Sequence, residues 1–428
     1  MAPAMSGAPH NRANGTGARF PAARISLFYI CIFLVMGVHL PYWPVWFAAR
    51  GLSADDIGLI LALSLGLRVV AGPVIAVSAD RLGRRRGPLV ALASGCLAGF
   101  ALYGLTDSFW SILFVTLIAN ALLSAMMPLI DTLALQRAPL DGFDYGRVRL
   151  WGSISFIAAS MGGGWFLAQV TGTGAEQIWG MVLVAAALTV GAACLLPGER
   201  RSPGIDGQTD VSRRFPSSRH VWLAALGLCR HRQFLLFVLA AAAIQGGHAV
   251  YYAFGTLHWR QAGLDDSLIG ILWAIGVVAE ILLFLVAAPF VARLGPAWCI
   301  AIGGVAGILR WSVTAFTPAL PVLMLMQCLH AFTFGATHLG AMHFLSRAAP
   351  PGLAATAQSI YAALSAGLVI GAVTYLSGVA YQAWGGFAYL GMALLCAAGA
   401  LAAIRLARVW DGDVLAAQPQ SAEAAGNS

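Results

Sequence analysis

"GLSADDIG" at residues 51–58 returns as "GLDDSLIG" at 263–270, an offset of 212 residues. Gly51 falls on Gly263 and Gly58 on Gly270, and at the same offset "DRLG" (80–83) falls on "ARLG" (292–295). Both copies run into long apolar stretches, so the repeat is a duplicated hydrophobic unit. Working outward gives twelve apolar runs, at 25–49, 55–79, 88–106, 109–136, 148–170, 176–197, 233–258, 266–291, 297–316, 319–346, 354–381 and 385–407. A helix that crosses a bilayer needs about 20 apolar residues. The fold class is therefore an all-α membrane protein, with twelve transmembrane helices in two pseudo-symmetric six-helix bundles. A parallel repeat of this kind has its axis along the membrane normal. The expected division is a polar N-terminal tail (1–23), a first bundle (24–197), a central loop (198–232), a second bundle (233–408) and a polar C-terminal tail (409–428).

Composition excludes the main competing classes. Of 428 residues, 59% are hydrophobic and only 10% charged, and the mean hydropathy is +0.79. A soluble domain of this length cannot bury that much apolar surface. The runs are continuous rather than alternating, which excludes an outer-membrane barrel. The formal charge of +8 does not mark a nucleic-acid binder, because its placement follows the membrane. All 25 basic residues are arginine, and outside the spans they concentrate before span 1, after span 2, between spans 4 and 5, and in the central loop. Arg50 and Arg260 alone fall on the opposite side. This asymmetry predicts cytoplasmic termini and a cytoplasmic central loop. The seven cysteines contain no CxxC pair and read as small apolar side chains. Nothing calls for a metal or a cofactor.

The informative residues are charges where hydrocarbon should be. Arg68, Asp131, Arg149, Glu280 and Arg310 lie within apolar runs, accompanied by His39, His248, His330 and His338. Such groups usually face a bundle interior and mark a transport pathway. In "DYGRVRLWGS" (144–153), Arg147 is at headgroup depth, whereas Arg149 has already entered the apolar pattern. Spans 4 and 5 are antiparallel neighbours, so an ion pair between Asp131 and Arg149 is expected, either as a hairpin lock or as a polar clamp on substrate. The 212-residue offset sets Arg68 on Glu280, so charges of opposite sign occupy equivalent depths in spans 2 and 8. Glu280, Arg310 and His330 count to mid-depth within one or two helical turns of each other. Glu280 is read as the proton carrier, with Asp131 and His330 as the other coupling candidates. Tyr251 and Tyr252 come a turn after Gln245 and His248, deeper than an interfacial aromatic belt reaches, and these four are read as substrate-binding residues, since an aromatic wall beside an arginine suits a ring-bearing anion. Pro41, Pro44, Pro73 and Pro128 are expected to kink their spans.

"SADRLGRRR" (78–86) resembles the loop between spans 2 and 3 of the major facilitator superfamily, with Asp80, Arg81, Gly83 and Arg84 as gating-loop residues; Ala76 stands where a glycine is usual. "IQGGHAVYYAFGTLHWRQAGL" (244–264), "LWAIGVVAEILLF" (272–284), "LRW" (309–311) and "LHAFTFGATHLGAMHF" (329–344) are similar to the phenylpropionate permease group, which belongs with the lactose-permease-type proton symporters. That resemblance runs from Arg24 to Arg408. It implies that Asp131 and Arg149 stand where those symporters bind sugar, and that Phe156 replaces a stacking tryptophan. It also implies that Glu280 and Arg310 match the charged residues of spans 8 and 9. In the span-10 pattern Leu-His-x-x-Glu, the glutamate is replaced by Thr333, which leaves Glu280, then Asp131, to carry the proton.

The expected function is proton-coupled uptake of a small organic acid, aromatic and phenylpropionate-like, by alternating access. The charge count supports an acid: Arg68, Arg149 and Arg310 against Asp131 and Glu280 leave one positive charge uncompensated if all five share a cavity. The alternatives are a sugar or nucleoside symporter, a proton-driven exporter and a non-transporting sensor. No nucleophile elbow or phosphate loop points to an enzyme. The expected partners are a small-molecule substrate, protons and the lipid bilayer, with the chain acting as a monomer in the cell membrane (the inner membrane of a Gram-negative cell).

Overall fold

The computed structural model describes residues 19–82, 85–198, 227–350 and 353–415. The described residues are almost entirely helical. Spans 1 to 6 are Arg19–Ala49, Ala54–Leu82, Arg86–Leu102, Phe109–Asp141, Tyr145–Ala168 and Ala175–Leu195. Span 7 is broken into Arg232–Gly246 and Ala249–Gln261. Span 8 is Asp266–Leu294 and span 9 is Pro296–Phe316. Span 10 joins Leu320–Cys328 to Thr337–Ala348 through a π-helical segment, Ala331–Ala336. Span 11 joins Ala354–Ala362 to Ile370–Trp384 through a second, Ala363–Val369. A single turn of 3₁₀ helix at Gly385–Phe387 divides it from span 12, Ala388–Val409, within one apolar stretch of 56 residues.

Local chemistry sets the ends of the hairpin that matters most. Span 4 continues to Asp141, beyond the expected end at 136, because Gly142 at φ 68° supplies the left-handed residue that terminates it. The extension makes Arg137 and Asp141 a buried i,i+4 pair at 2.6 Å. Asp144 then opens span 5 by accepting the Arg147 N–H at 2.8 Å. Arg147 is exposed in the first turn and Arg149 lies two residues further into the helix, half-buried. The expected prolines sit inside continuous helices. The backbone of span 7 breaks at Gly247 and His248.

Span 1 packs on spans 5 and 6, and span 3 on spans 4 and 6, within the first half; span 12 packs on spans 9 and 7 within the second. The halves meet where span 5 packs on span 8 and span 2 on span 11. On the face opposite the termini, glycines bring these backbones together. A Cβ at Gly270 would lie 2.4 Å from the Ser160 carbonyl oxygen, and one at Gly164 2.3 Å from that of Asp266. A Cβ at Gly58 would lie 2.8 Å from Gly378 Cα. Further along, Leu67, Arg68, Val70, Val74 and Val77 of span 2 are exposed, and so are Leu282, Leu285 and Val286 of span 8. The glycine contacts close the molecule on the face opposite the start of span 1 and the end of span 12.

Candidate functional site

Two polar clusters lie inside the helical fold. In the first half, Asp131 Oδ1 accepts a hydrogen bond from the Tyr29 hydroxyl at 2.6 Å and another from the Tyr145 hydroxyl at 3.2 Å. Arg149 Nε is 3.9 Å from the same oxygen, too long for a hydrogen bond. The expected Asp131–Arg149 pair is therefore present as a charge contact, while the hydrogen bonds to Asp131 come from tyrosines. The Arg149 guanidinium lies over the Phe33 ring at 4.4 Å and the Tyr29 ring at 5.5 Å, a cation–π arrangement. Gly152 makes room for it: a Cβ there would meet Phe33 Cδ2 at 2.8 Å and an Arg149 terminal nitrogen at 3.2 Å. The Arg149 and Asp131 side chains remain 31% and 33% exposed. Phe156 is buried behind them against Gly37.

In the second half, Arg310 is fully buried and sandwiched between Trp311 at 4.2 Å and Tyr251 at 5.0 Å. Its hydrogen bonds run to neutral groups: Gln327 Oε1 at 2.6 Å, Thr333 Oγ1 at 3.0 Å and His330 Nδ1 at 3.0 Å. Guanidinium N–H groups only donate, so His330 Nδ1 accepts, and its proton sits on Nε2. That nitrogen faces Glu280 Oε2 at 3.8 Å. Glu280 is at the middle of span 8 and 20% exposed. The same logic fixes His248. Its Nδ1 lies 3.1 Å from the Gln245 carbonyl oxygen, which only accepts, so Nδ1 donates. In the neutral ring Nε2 then accepts from the Thr333 hydroxyl at 3.0 Å, whose oxygen in turn accepts from Arg310. Thr333, in the π-helical turn of span 10, thus ties His248 to Arg310. Tyr252 stacks on His248 at 5.6 Å and Tyr251 on Trp273 at 4.4 Å, which builds the aromatic wall.

The structure brings Arg310, His330, Glu280, Gln245, His248, Tyr251 and Tyr252 together, and separately Asp131 and Arg149; Phe156 lies two turns along span 5 from Arg149, packed on Gly37. Arg68 joins neither cluster: its side chain is exposed and forms no hydrogen bond or ion pair among the described residues. Arg81 is exposed; Gly83, Arg84 and the Asp80 side chain lie outside what is described. Tyr145 and Gln327 were not singled out from sequence. Tyr145 precedes the apolar run of span 5 and meets Asp131 only because the 4–5 hairpin is short. Gln327 lies three residues before His330 on the same helix, a spacing that places both on one face and could have revealed it.

Residues 22–390 match the sequence model of the MFS_1-like family. A protein described as a probable 3-phenylpropionic acid transporter of Escherichia coli (strain K12) is 31% identical over 377 residues, covering 87% of this chain and 94% of that one. Maltose permease of Geobacillus stearothermophilus is 26% identical, covering 89% and 93%. Among solved structures, the nucleoside transporter NupG superposes with a TM-score of 0.76 at 19% identity, covering 91% of this chain and 99% of that one. An inward-facing, unoccupied bacterial homologue of the human lysosomal transporter Spinster gives a TM-score of 0.71 at 15% identity, covering 92% and 98%. At those identities the likeness concerns the fold alone. The chain belongs to the MFS_1-like family and is a multi-pass membrane secondary transporter of the major facilitator type.

Proposed function

We propose that the protein takes up a small aromatic carboxylate of the 3-phenylpropionate type together with a proton, by alternating exposure of a site between its two halves, with its termini cytoplasmic. The observation that carries this reading is the bonding of the two central arginines. Arg310 is buried with neutral hydrogen-bond partners only, and Arg149 is held 3.9 Å from its carboxylate. With Glu280 and Asp131 ionised, the four charges balance. Protonation of Glu280 leaves one positive charge in excess in a low-dielectric setting, where an unpaired charge costs several kcal/mol. A monoanion relieves that excess and a neutral ligand does not. Proton entry and anion entry therefore favour each other, as symport requires. The part-exposed Tyr252 ring, backed by the buried Tyr251 and Trp273 rings, is the aromatic surface available to the aryl group. The relative described as a probable 3-phenylpropionic acid transporter supports the same substrate class.

The test is uptake of radiolabelled 3-phenylpropionate into vesicles with an imposed pH gradient, with 3-phenylpropionate and 3-phenylpropionamide as unlabelled competitors. The acid is expected to compete and the amide is not. Equal competition by the amide would remove the charge argument and favour a neutral substrate, the class named for the relative maltose permease.

A further inference from the structure

Asp131 and Arg149 carry opposite charges on adjacent helices and are a third exposed, yet they do not close on one another. Nothing covalent holds them apart. A carboxylate and a guanidinium that can meet normally form parallel N–H···O bonds of about 2.7–2.9 Å, and here the nearest approach is 3.9 Å. Two hydroxyls occupy the oxygen that Arg149 approaches. Tyr29, buried on span 1, donates to Oδ1 at 2.6 Å. Tyr145, in the first turn of span 5, donates to the same atom at 3.2 Å. Each hydroxyl has one proton to give, and each gives it to Asp131.

Arg149 is held in place by other means. Its guanidinium lies flat on Phe33 and next to Tyr29, and its terminal nitrogens form no hydrogen bond with any described residue. Four N–H donors are thus left free on a positioned, part-exposed cation. That is what a ligand carboxylate requires for bidentate binding.

We infer that Tyr29 and Tyr145 are specificity-determining residues: by holding Asp131 off Arg149, they keep the Arg149 fork open for an acidic ligand. The inference rests on the aromatic-acid reading above and deepens it. Without the hydroxyls, Asp131 is the nearest carboxylate to Arg149. It closes on the fork, the pair neutralises itself, and the site loses its preference for acids. Substrate charge is then selected by a pair of phenols that need not touch the substrate.

The test measures binding of 3-phenylpropionate and 3-phenylpropionamide to the purified full-length protein by isothermal titration calorimetry. Tyr29→Phe and Tyr145→Phe keep the rings and remove the hydroxyls. Each is expected to weaken acid binding, by about tenfold or more for Tyr29→Phe, which is about 1.4 kcal/mol; the longer Tyr145 bond predicts a smaller loss. The deciding variant adds Asp131→Asn to Tyr29→Phe. An amide cannot neutralise Arg149, so acid binding should return to the wild-type level or above. A tyrosine with a merely structural role would not be rescued in this way. Wild-type acid affinity in both single variants overturns the inference, and so does failure of Asp131→Asn to restore binding. Should Tyr29→Phe not fold, the same pair of measurements on Tyr145→Phe, alone and with Asp131→Asn, decides. If the wild-type protein binds the amide as well as the acid, the aromatic-acid reading fails, and this inference fails with it. If the wild type selects the acid and the tyrosine variants do too, only this inference fails.

Discussion

Glu280 is the carboxylate of the second half, and its environment shows what a single side chain can contribute. It stands 3.8 Å from the protonated nitrogen of His330, whose other nitrogen is held by Arg310. Glu280 is thus the carboxylate that faces the Arg310 cluster, through His330. Glu280→Gln mimics the protonated form permanently. It should lower accumulation driven by a pH gradient by at least about tenfold, the effect of losing roughly 1.4 kcal/mol of coupling. Exchange of labelled for unlabelled 3-phenylpropionate across vesicles should survive, because exchange needs no net proton movement. Wild-type accumulation in this variant would move the proton to another carboxylate, with Asp131 next. The sequence made Glu280, Arg310 and His330 visible, because a polar group in an apolar run usually faces a bundle interior, although Arg68 stood out by the same rule and joins neither cluster. It did not reveal that Arg310 bonds only neutral groups. That depends on rotamers and on a π-helical turn, and hydropathy encodes neither.

At the scale of elements, the twelve spans were legible because apolar length and arginine placement are strong, local signals. What escaped was departure from regular helix. The break in span 7 falls at Gly247 and His248, where a Cβ at Gly247 would meet Cys396 Sγ at 2.7 Å and the Ile244 carbonyl oxygen at 3.1 Å. The paired glycines of "IQGGHAV" were the available sign. The π-helical turns of spans 10 and 11 had none, since one extra residue per turn barely alters an apolar pattern. The close approach of spans 5 and 8 is likewise a contact of glycines with chain-distant backbone, Gly270 with Ser160 and Gly164 with Asp266. It yields a prediction. Gly270→Ala places a methyl carbon 2.4 Å from the Ser160 carbonyl oxygen, and helix backbone does not yield cheaply. The two spans must separate on the closed face. Net uptake should fall severalfold, while 3-phenylpropionate affinity measured on the purified protein changes by less than about threefold, because the central clusters lie further along both spans. Unchanged uptake would mean that the glycine contact is incidental to closure.

For the whole molecule, the two faces differ in what holds them. The closed face has the glycine contacts and, beside them, polar bridges. Arg260, at the end of span 7, grips Asp266 with two bonds of 2.7 and 2.6 Å. Its remaining arm donates to the Thr173 carbonyl oxygen in the first half at 2.8 Å. Gln382, at the end of span 11, accepts from the Ala54 N–H of span 2 at 3.0 Å. Both residues belong to the second half, and each reaches across to the first. Arg260 was legible only as a charge on the minority side of the membrane, which the arginine bias leaves unexplained. The structure gives it a reason: it is fastened to Asp266 and spans the seam. Two-state transport requires both faces to open with comparable free energy, so each such bridge biases the equilibrium by its differential strength between states. Arg260→Ala removes three hydrogen bonds at once, and it leaves Asp266 part-buried without its cation. The state open on this face should gain population by about tenfold, corresponding to roughly 1.4 kcal/mol. Spin labels at Asp107 and Trp384, exposed positions in the two halves on this face, can read that shift in a cysteine-free background. A longer-distance population should grow in the Arg260→Ala protein. An identical distance distribution with and without Arg260 would show that the glycine packing alone sets the closed face and that the arginine bridge is only a surface contact.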